Sequence, residues 1–278
     1  MAPSSGQISF TYGGTEVAIS APEFGYSTNI KFPFDYTQLD DSSYASRDEG
    51  AQYDKRVCEC SIYLTVDEQA ALNTLIHTTA RGQDVILTLP SGSGFFPFGP
   101  DKGDTGVFTV AITLNGTPAI QMAPFQYFKC SLQIINVGDF PSYSLPSEIS
   151  EGSFVLGDVV GCRMPQNLFE PLQRYSISIG ITESNRSEYW DRGSGGDNKR
   201  TGFVMQANES KAAAIAYYLS ATVRNGEFSV FTPDNFFMFG SDGGSSSTYT
   251  CIIINSTITI KHTRHNEYEF SLELYEVV

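Results

Sequence analysis

The chain has 278 residues and a net charge of −14, from 17 Lys and Arg against 31 Asp and Glu. Hydrophobic residues make up 41% and aromatics 13%, with 25 Gly and 13 Pro, which excludes wholesale disorder and favours strands joined by turns. So acidic a chain should not hold nucleic-acid phosphates or an anionic membrane through its net charge, and no apolar run approaches the ~20 residues of a membrane-spanning helix.

In chain order, residues 1–6 (Met-Ala-Pro-Ser-Ser-Gly) carry neither a basic nor an apolar stretch and read as no secretory signal. Residues 31–53 read as a long loop with Phe32, Phe34, Tyr36 and Tyr44 among several acids. Residues 57–64 predict a strand. Thr65, with Glu68 three residues on, is a capping box, and Gly82 stands where a helix ends, so a helix over 67–81 is expected with Leu72, Leu75, Ile76 and Thr79 on one face. A strand over 84–89 stops at Pro90, which has no N–H for a ladder. The aromatic-glycine run Phe95-Phe96-Pro97-Phe98-Gly99 follows, with Asp101 two residues on. A long hairpin over 106–114 and 125–137 closes the unit.

The chain then repeats itself. Phe236-Phe237-Met238-Phe239-Gly240 answers the aromatic-glycine run, with Asp242 in the place of Asp101. Arg224 answers Arg81, Pro233 answers Pro90, and Phe270-Ser271-Leu272-Glu273-Leu274 answers Cys130-Ser131-Leu132-Gln133-Ile134, the offset drifting from 143 to 140 residues. The second series predicts a strand over 202–207, a helix from the N-cap Asn208 to Asn225-Gly226, a strand over 227–232 and a hairpin over 248–260 and 266–277. In that helix Ile215, Tyr218, Leu219 and Thr222 hold the register of the first. Residues 182–198 form its long loop, with Tyr189, Trp190 and a Gly-Ser tract. The predicted class is therefore mainly β: two tandem homologous β-sandwich or barrel domains, 1–138 and 168–278, each with one flanking helix. A Gly- and Pro-rich connector, 139–167, joins them, and its apolar Phe154-Val155-Leu156 and Val159-Val160 suit packing. The loop aromatics Phe32, Phe34, Tyr36, Tyr44, Tyr189 and Trp190 are the candidate contacts to other subunits or rings.

Chemistry finds little footing. His77 suits the end of the first helix, while His262 and His265 fall at a predicted hairpin tip without the spacing of a metal site. Cys58 and Cys60, two apart in a strand, share a face and read as core; five cysteines in all do not make a disulfide framework. No nucleophile elbow, phosphate-binding loop or dinucleotide fingerprint occurs. The pairs Asp40-Asp41, Asp48-Glu49 and Asp67-Glu68 read as a solvated acidic face, and the sequons at Asn115, Asn185, Asn208 and Asn255 as chance. No enzyme, metal or cofactor is expected.

The order Phe24-Gly25-Tyr26-Ser27, loop, strand 57–64, helix 67–81, strand ending in proline, aromatics and long hairpin resembles tail proteins of tailed bacteriophages, in particular lambda-type minor tail, distal tail and tail-tube proteins. Arg174-Tyr175-Ser176 is the nearest counterpart of the Gly-Tyr-Ser element in the second copy. The resemblance implies small β units joined side by side into a six-fold ring around DNA. A duplicated chain would supply six units as a homotrimer, contact other tail proteins above and below, and let DNA pass an acidic lumen without binding it; a hexamer is the other assembly. The implied place is the virion tail, as distal tail or hub adaptor, assembled in the host cytoplasm. Alternatives are the major tail tube protein and, in another class, a carbohydrate-binding or adhesin module using Tyr189 and Trp190 as sugar platforms.

Overall fold

A computed structural model describes residues 6–22, 25–32, 34–38, 44–48, 54–119, 127–145, 154–157, 160–162, 167–174, 177–181, 187–191, 198–224, 226–233, 247–254 and 257–277. The chain is mainly β, as its composition requires. The first half opens with the hairpin β1 (Gln7–Tyr12) and β2 (Thr15–Ser20), then β3 (Tyr26–Lys31), the hairpin β4 (Phe34–Gln38) and β5 (Tyr44–Asp48), and β6 (Lys55–Thr65). The helix α1 (Val66–Thr74) leads to β7 (Val85–Leu89), β8 (Gly106–Ala119) and β9 (Tyr127–Asn136). The second half runs β10 (Phe154–Leu156), β11 (Val160–Cys162), β12 (Asn167–Arg174), the hairpin β13 (Ile177–Ile181) and β14 (Ser187–Asp191), and β15 (Asn198–Ala207). The helix α2 (Glu209–Tyr217) then precedes β16 (Phe228–Thr232), β17 (Ser247–Ile253), β18 (Thr257–Arg264) and β19 (Glu267–Glu276).

Both helices start where their caps predict. The Thr65 hydroxyl accepts from the Glu68 N–H, and the Glu68 carboxylate accepts from the Thr65 N–H at 2.8 Å. Asn208 caps α2 by accepting from the Lys211 N–H at 3.0 Å. Both helices also end alike, in a widened turn over Leu75–Thr79 and Tyr218–Val223. There the Ala80 N–H reaches back five residues to the Leu75 carbonyl (2.7 Å), and the Arg224 N–H to that of Leu219 (2.9 Å). The wider turn rotates the apolar face by one residue. Ala80 and Val223 are buried, whereas Thr222, expected on that face, is exposed.

All strand pairs are antiparallel. In the first half they run β3-β6-β9-β8-β7-β1-β2. In the second, β12 pairs β15, β15 pairs β19, and β19 pairs β18 at one end and β17 at the other; β17 then pairs β16, β16 pairs β10 and β10 pairs β11. In the first half the single strand β8 pairs β7 with its first residues and β9 beyond; in the second, β17 pairs both β16 and β19, while β18 pairs β19 alone within that half. The halves are joined through β18 and β3, from Thr257 opposite Lys31 to His262 opposite Tyr26, so among the described residues hydrogen bonding runs unbroken across 15 strands.

Two expectations change. The loops at 31–53 and 182–198 are not bare loops: each shares residues with a two-stranded hairpin, one strand of which alternates apolar residues with polar or small ones, Phe34 and Tyr36 in β4 and Ile177, Ile179 and Ile181 in β13. The apolar part of the connector packs: Phe154–Leu156 and Val160–Cys162 form β10 and β11 in the second half's sheet, with Phe154 and Leu156 fully buried. The place opposite β15 that Tyr26-Ser27 takes opposite β6 belongs to Leu168-Phe169; Tyr175-Ser176 lie outside the described residues.

Two hydrophobic cores form. Among the described residues, the buried side chains of one come from residues 8–134, among them Phe10, Ile19, Leu64, Leu72, Leu75 and Leu132, with Phe140 packed against them. The other is built by the second half around Phe154, Leu219 and Phe270, and it takes in Ile30, Phe32 and Phe96 from the first half. Cys58 and Cys60 lie in the first core, and burial pushes the Cys58 thiol well up.

Candidate interaction site at the junction of the halves

The aromatic-glycine run of the first half lies at this junction. Gly99 has φ +99°, a region closed to most side chains. A Cβ there would stand 2.9 Å from the Asp101 carboxylate and 3.0 Å from the Arg56 guanidinium. Glycine lets the backbone turn tightly enough for the short 3₁₀ turn Pro100–Lys102 to bring Asp101 inward. Arg56 projects from β6 to meet it. Its two terminal nitrogens donate to the two Asp101 oxygens at 2.6 and 2.8 Å, and both side chains are almost wholly buried. Arg56 also donates to the Phe98 carbonyl at 2.6 Å and, across the junction, to the Ser220 hydroxyl at 3.0 Å.

The loop is pinned on its other side by β3. The Thr28 hydroxyl donates to the Pro97 carbonyl at 3.0 Å, and the Phe96 N–H donates to the Tyr26 hydroxyl at 3.0 Å. Tyr26 meets Phe95 and His262 edge-on, each 4.9 Å between ring centres, and His262 stacks on Tyr268 at 4.7 Å. Arg224 forms a bidentate ion pair with Asp54 (2.5 and 3.0 Å) and lies over the Phe32 ring at 5.8 Å. The Thr259 hydroxyl donates to Asn29 at 2.8 Å beside the strand seam.

Of the six aromatics named as contacts, Phe32 is placed inside this junction, only 5% exposed, rather than on a free loop. Phe34, Tyr36 and Tyr44 belong to the β4–β5 hairpin and Tyr189 and Trp190 to β14. Phe34 and Tyr36 are two apart, and Tyr44 faces Gln38, so the register puts all three at positions of one hairpin face. The run 236–240 and Asp242 lie outside the described residues. Among the described residues no group of three or more His, Cys, Asp or Glu converges to hold a metal ion.

His262 departs from its expected place. The tip proper is exposed Thr263 to Asn266, with Asn266 at φ +58°, while His262 is buried in β18. Among the described residues its Nδ1 has no hydrogen-bond partner, and burial, then nearby His265, holds its pKa below the ordinary 6.5. The folded state therefore binds this proton less readily than the unfolded chain. Stability from this source is complete above the ordinary histidine range and is lost as pH falls through about 6.5 toward the depressed folded value. His262→Phe, which keeps the stacked ring and removes the titration, is expected to flatten the fall in melting temperature between about pH 7.5 and 5.5. An unchanged slope would reassign that fall to other groups.

A buried ion pair, a ring cluster and a strand seam, with residues from both sides, hold the first half of the chain against the second. Comparison of the sequence with protein-family models and with curated proteins gives no match.

Proposed function

We propose that this chain is a structural protein of a phage tail: two copies of one tail-tube-type β unit that close, three chains at a time, into a pseudo-six-fold ring around the DNA channel, as distal tail or hub adaptor. The observation that carries the reading is the repeated pairing order. Each half has a hairpin strand pair, an edge strand, a small detached hairpin, a long strand, a capped helix ending in a widened turn, and three further strand courses in the same adjacency. The registers agree as well. Val57 stands opposite Ile135 and Arg200 opposite Tyr275; Leu87 stands opposite Phe108 and Val230 opposite Tyr249. These are positions 143, 140 and 141 residues apart, the offsets of the sequence repeat. One duplicated unit accounts for both sets of facts.

Side-by-side joining of like units is the elementary operation of a ring, and the chain performs it once internally through β3 and β18. A net charge of −14 suits a lumen wall that repels phosphate, so that DNA passes without sticking. Light scattering on the purified chain is expected to give a mass near three times 30.5 kDa, with negative-stain images showing a ring and a central hole. A strict monomer at high concentration, or an assembly without a channel, would overturn the reading.

A further inference from the structure

We infer that the free edge of β8 and the free edge of β12 are the two faces of a head-to-tail contact between copies of this chain, in the register already used inside it by β18 and β3. This rests on the ring reading above and names its contact.

Inside the chain, β18 pairs β19 on one side and β3 on the other. The first-half strand in the place of β18 is the distal part of β8, since Asn115 faces Ser131 as Thr259 faces Ser271. Its inner side pairs β9, while past Val110 its outer side has no strand partner among the described residues. The second-half strand in the place of β3 is β12, which faces β15 as β3 faces β6, and among the described residues β12 has no second partner. Each half thus brings one edge of each kind. One edge from each half is consumed at the internal seam, and one from each half is left over. The leftover pair has the same complementarity as the seam that is already formed. Unpaired N–H and C=O groups along such edges favour the addition of a strand.

The same arithmetic places the residues. At the seam Lys31 faces Thr257 and Ile30 faces Ile258. Arg174 faces Asn198 as Lys31 faces Lys55, and Gln173 faces Lys199 as Ile30 faces Arg56. Across two chains Thr113 then faces Arg174, and Leu114 faces Gln173. The charges beside the seam recur in the sequence with the same spacing: Asp54 and Arg224 pair across it, and Asp197 and Arg81 stand 143 residues after and before them. Arg81 is exposed and has no ion-pair partner among the described residues.

Opposed residues in antiparallel strands have Cα atoms about 4.5–5.5 Å apart, within the span of a disulfide. The full-length double variant Thr113→Cys/Arg174→Cys is expected to give, on mild oxidation, disulfide-linked dimers and trimers on a denaturing gel, which each single variant lacks. Leu114→Cys/Gln173→Cys tests the next pair of the same register and serves if the first variant does not fold. Linked species in either double variant, absent from its singles, support the contact. Three-chain particles of the parent protein with no cross-link in a folded double variant would overturn this edge pairing and leave the ring reading standing. A parent protein that stays monomeric would instead overturn the ring reading, and the contact with it.

Discussion

Replacing Arg56 by Met is expected to lower the stability of the chain by about 3–5 kcal/mol, measured by urea unfolding at fixed chain concentration. The methionine fills much of the same volume but leaves the Asp101 carboxylate, fully buried in its side chain, without the bidentate donor that compensates its loss of water. Asp101→Leu is expected to cost a similar amount, because it leaves the guanidinium stranded among Phe98, Phe140 and Ser220. The informative variant is the double one. With both charges gone neither is left unpaired, and the greater part of the loss should return; the Phe98 carbonyl and Ser220 hydroxyl still lack their donor, at about 1 kcal/mol each. The double variant should therefore be more stable than either single one. Single losses under about 1 kcal/mol, or losses that merely add in the double variant, would show that Arg56 and Asp101 do not act as a buried pair.

This pair marks where the sequence was legible and where it was not. The caps at Thr65 and Asn208, the strands ended by Pro90 and Pro233 and the closing hairpins depend on neighbours a few residues away, and their residues declare them. The repeated Phe-Phe-x-Phe-Gly run with its following Asp was visible too, but its purpose was not. The partner that makes sense of Asp101 is Arg56, 45 positions earlier, and the other side of the contact is Ser220, 164 positions after Arg56. Phe32 read as a loop aromatic because nothing nearby says that Arg224 will cover it. The widened helix turns escaped as well: a change from four- to five-residue hydrogen bonding moves the buried position from Thr222 to Val223, a shift that helical periodicity does not register. The sequence places His262 with His265 at a hairpin tip, yet it belongs to the seam, where a strand from the other half pairs beside it and it is buried.

Phe96→Ala tests how far that seam ties the halves into one cooperative body, and it is expected to cost about 3–5 kcal/mol, the ordinary loss for emptying a buried phenyl site. Phe96 belongs by sequence to the first half but is packed into the core of the second, with its ring edge-on to Tyr268 at 6.2 Å. The neighbouring Phe95 and Phe98 point into the first core, so adjacent residues of one short run anchor two cores. The truncation leaves the backbone bond from Phe96 to Tyr26 in place, so the loss should come from the cavity rather than from a displaced loop. Amide hydrogen exchange is expected to speed up first in β17, β18 and β19, far in sequence from the substitution, and less in β1 and β7. Phe95→Ala, one residue away, should show the opposite pattern, with β1 and β7 deprotected first. If both variants loosen only the first half, the second core does not depend on Phe96, and the halves meet as two bodies in contact rather than as one.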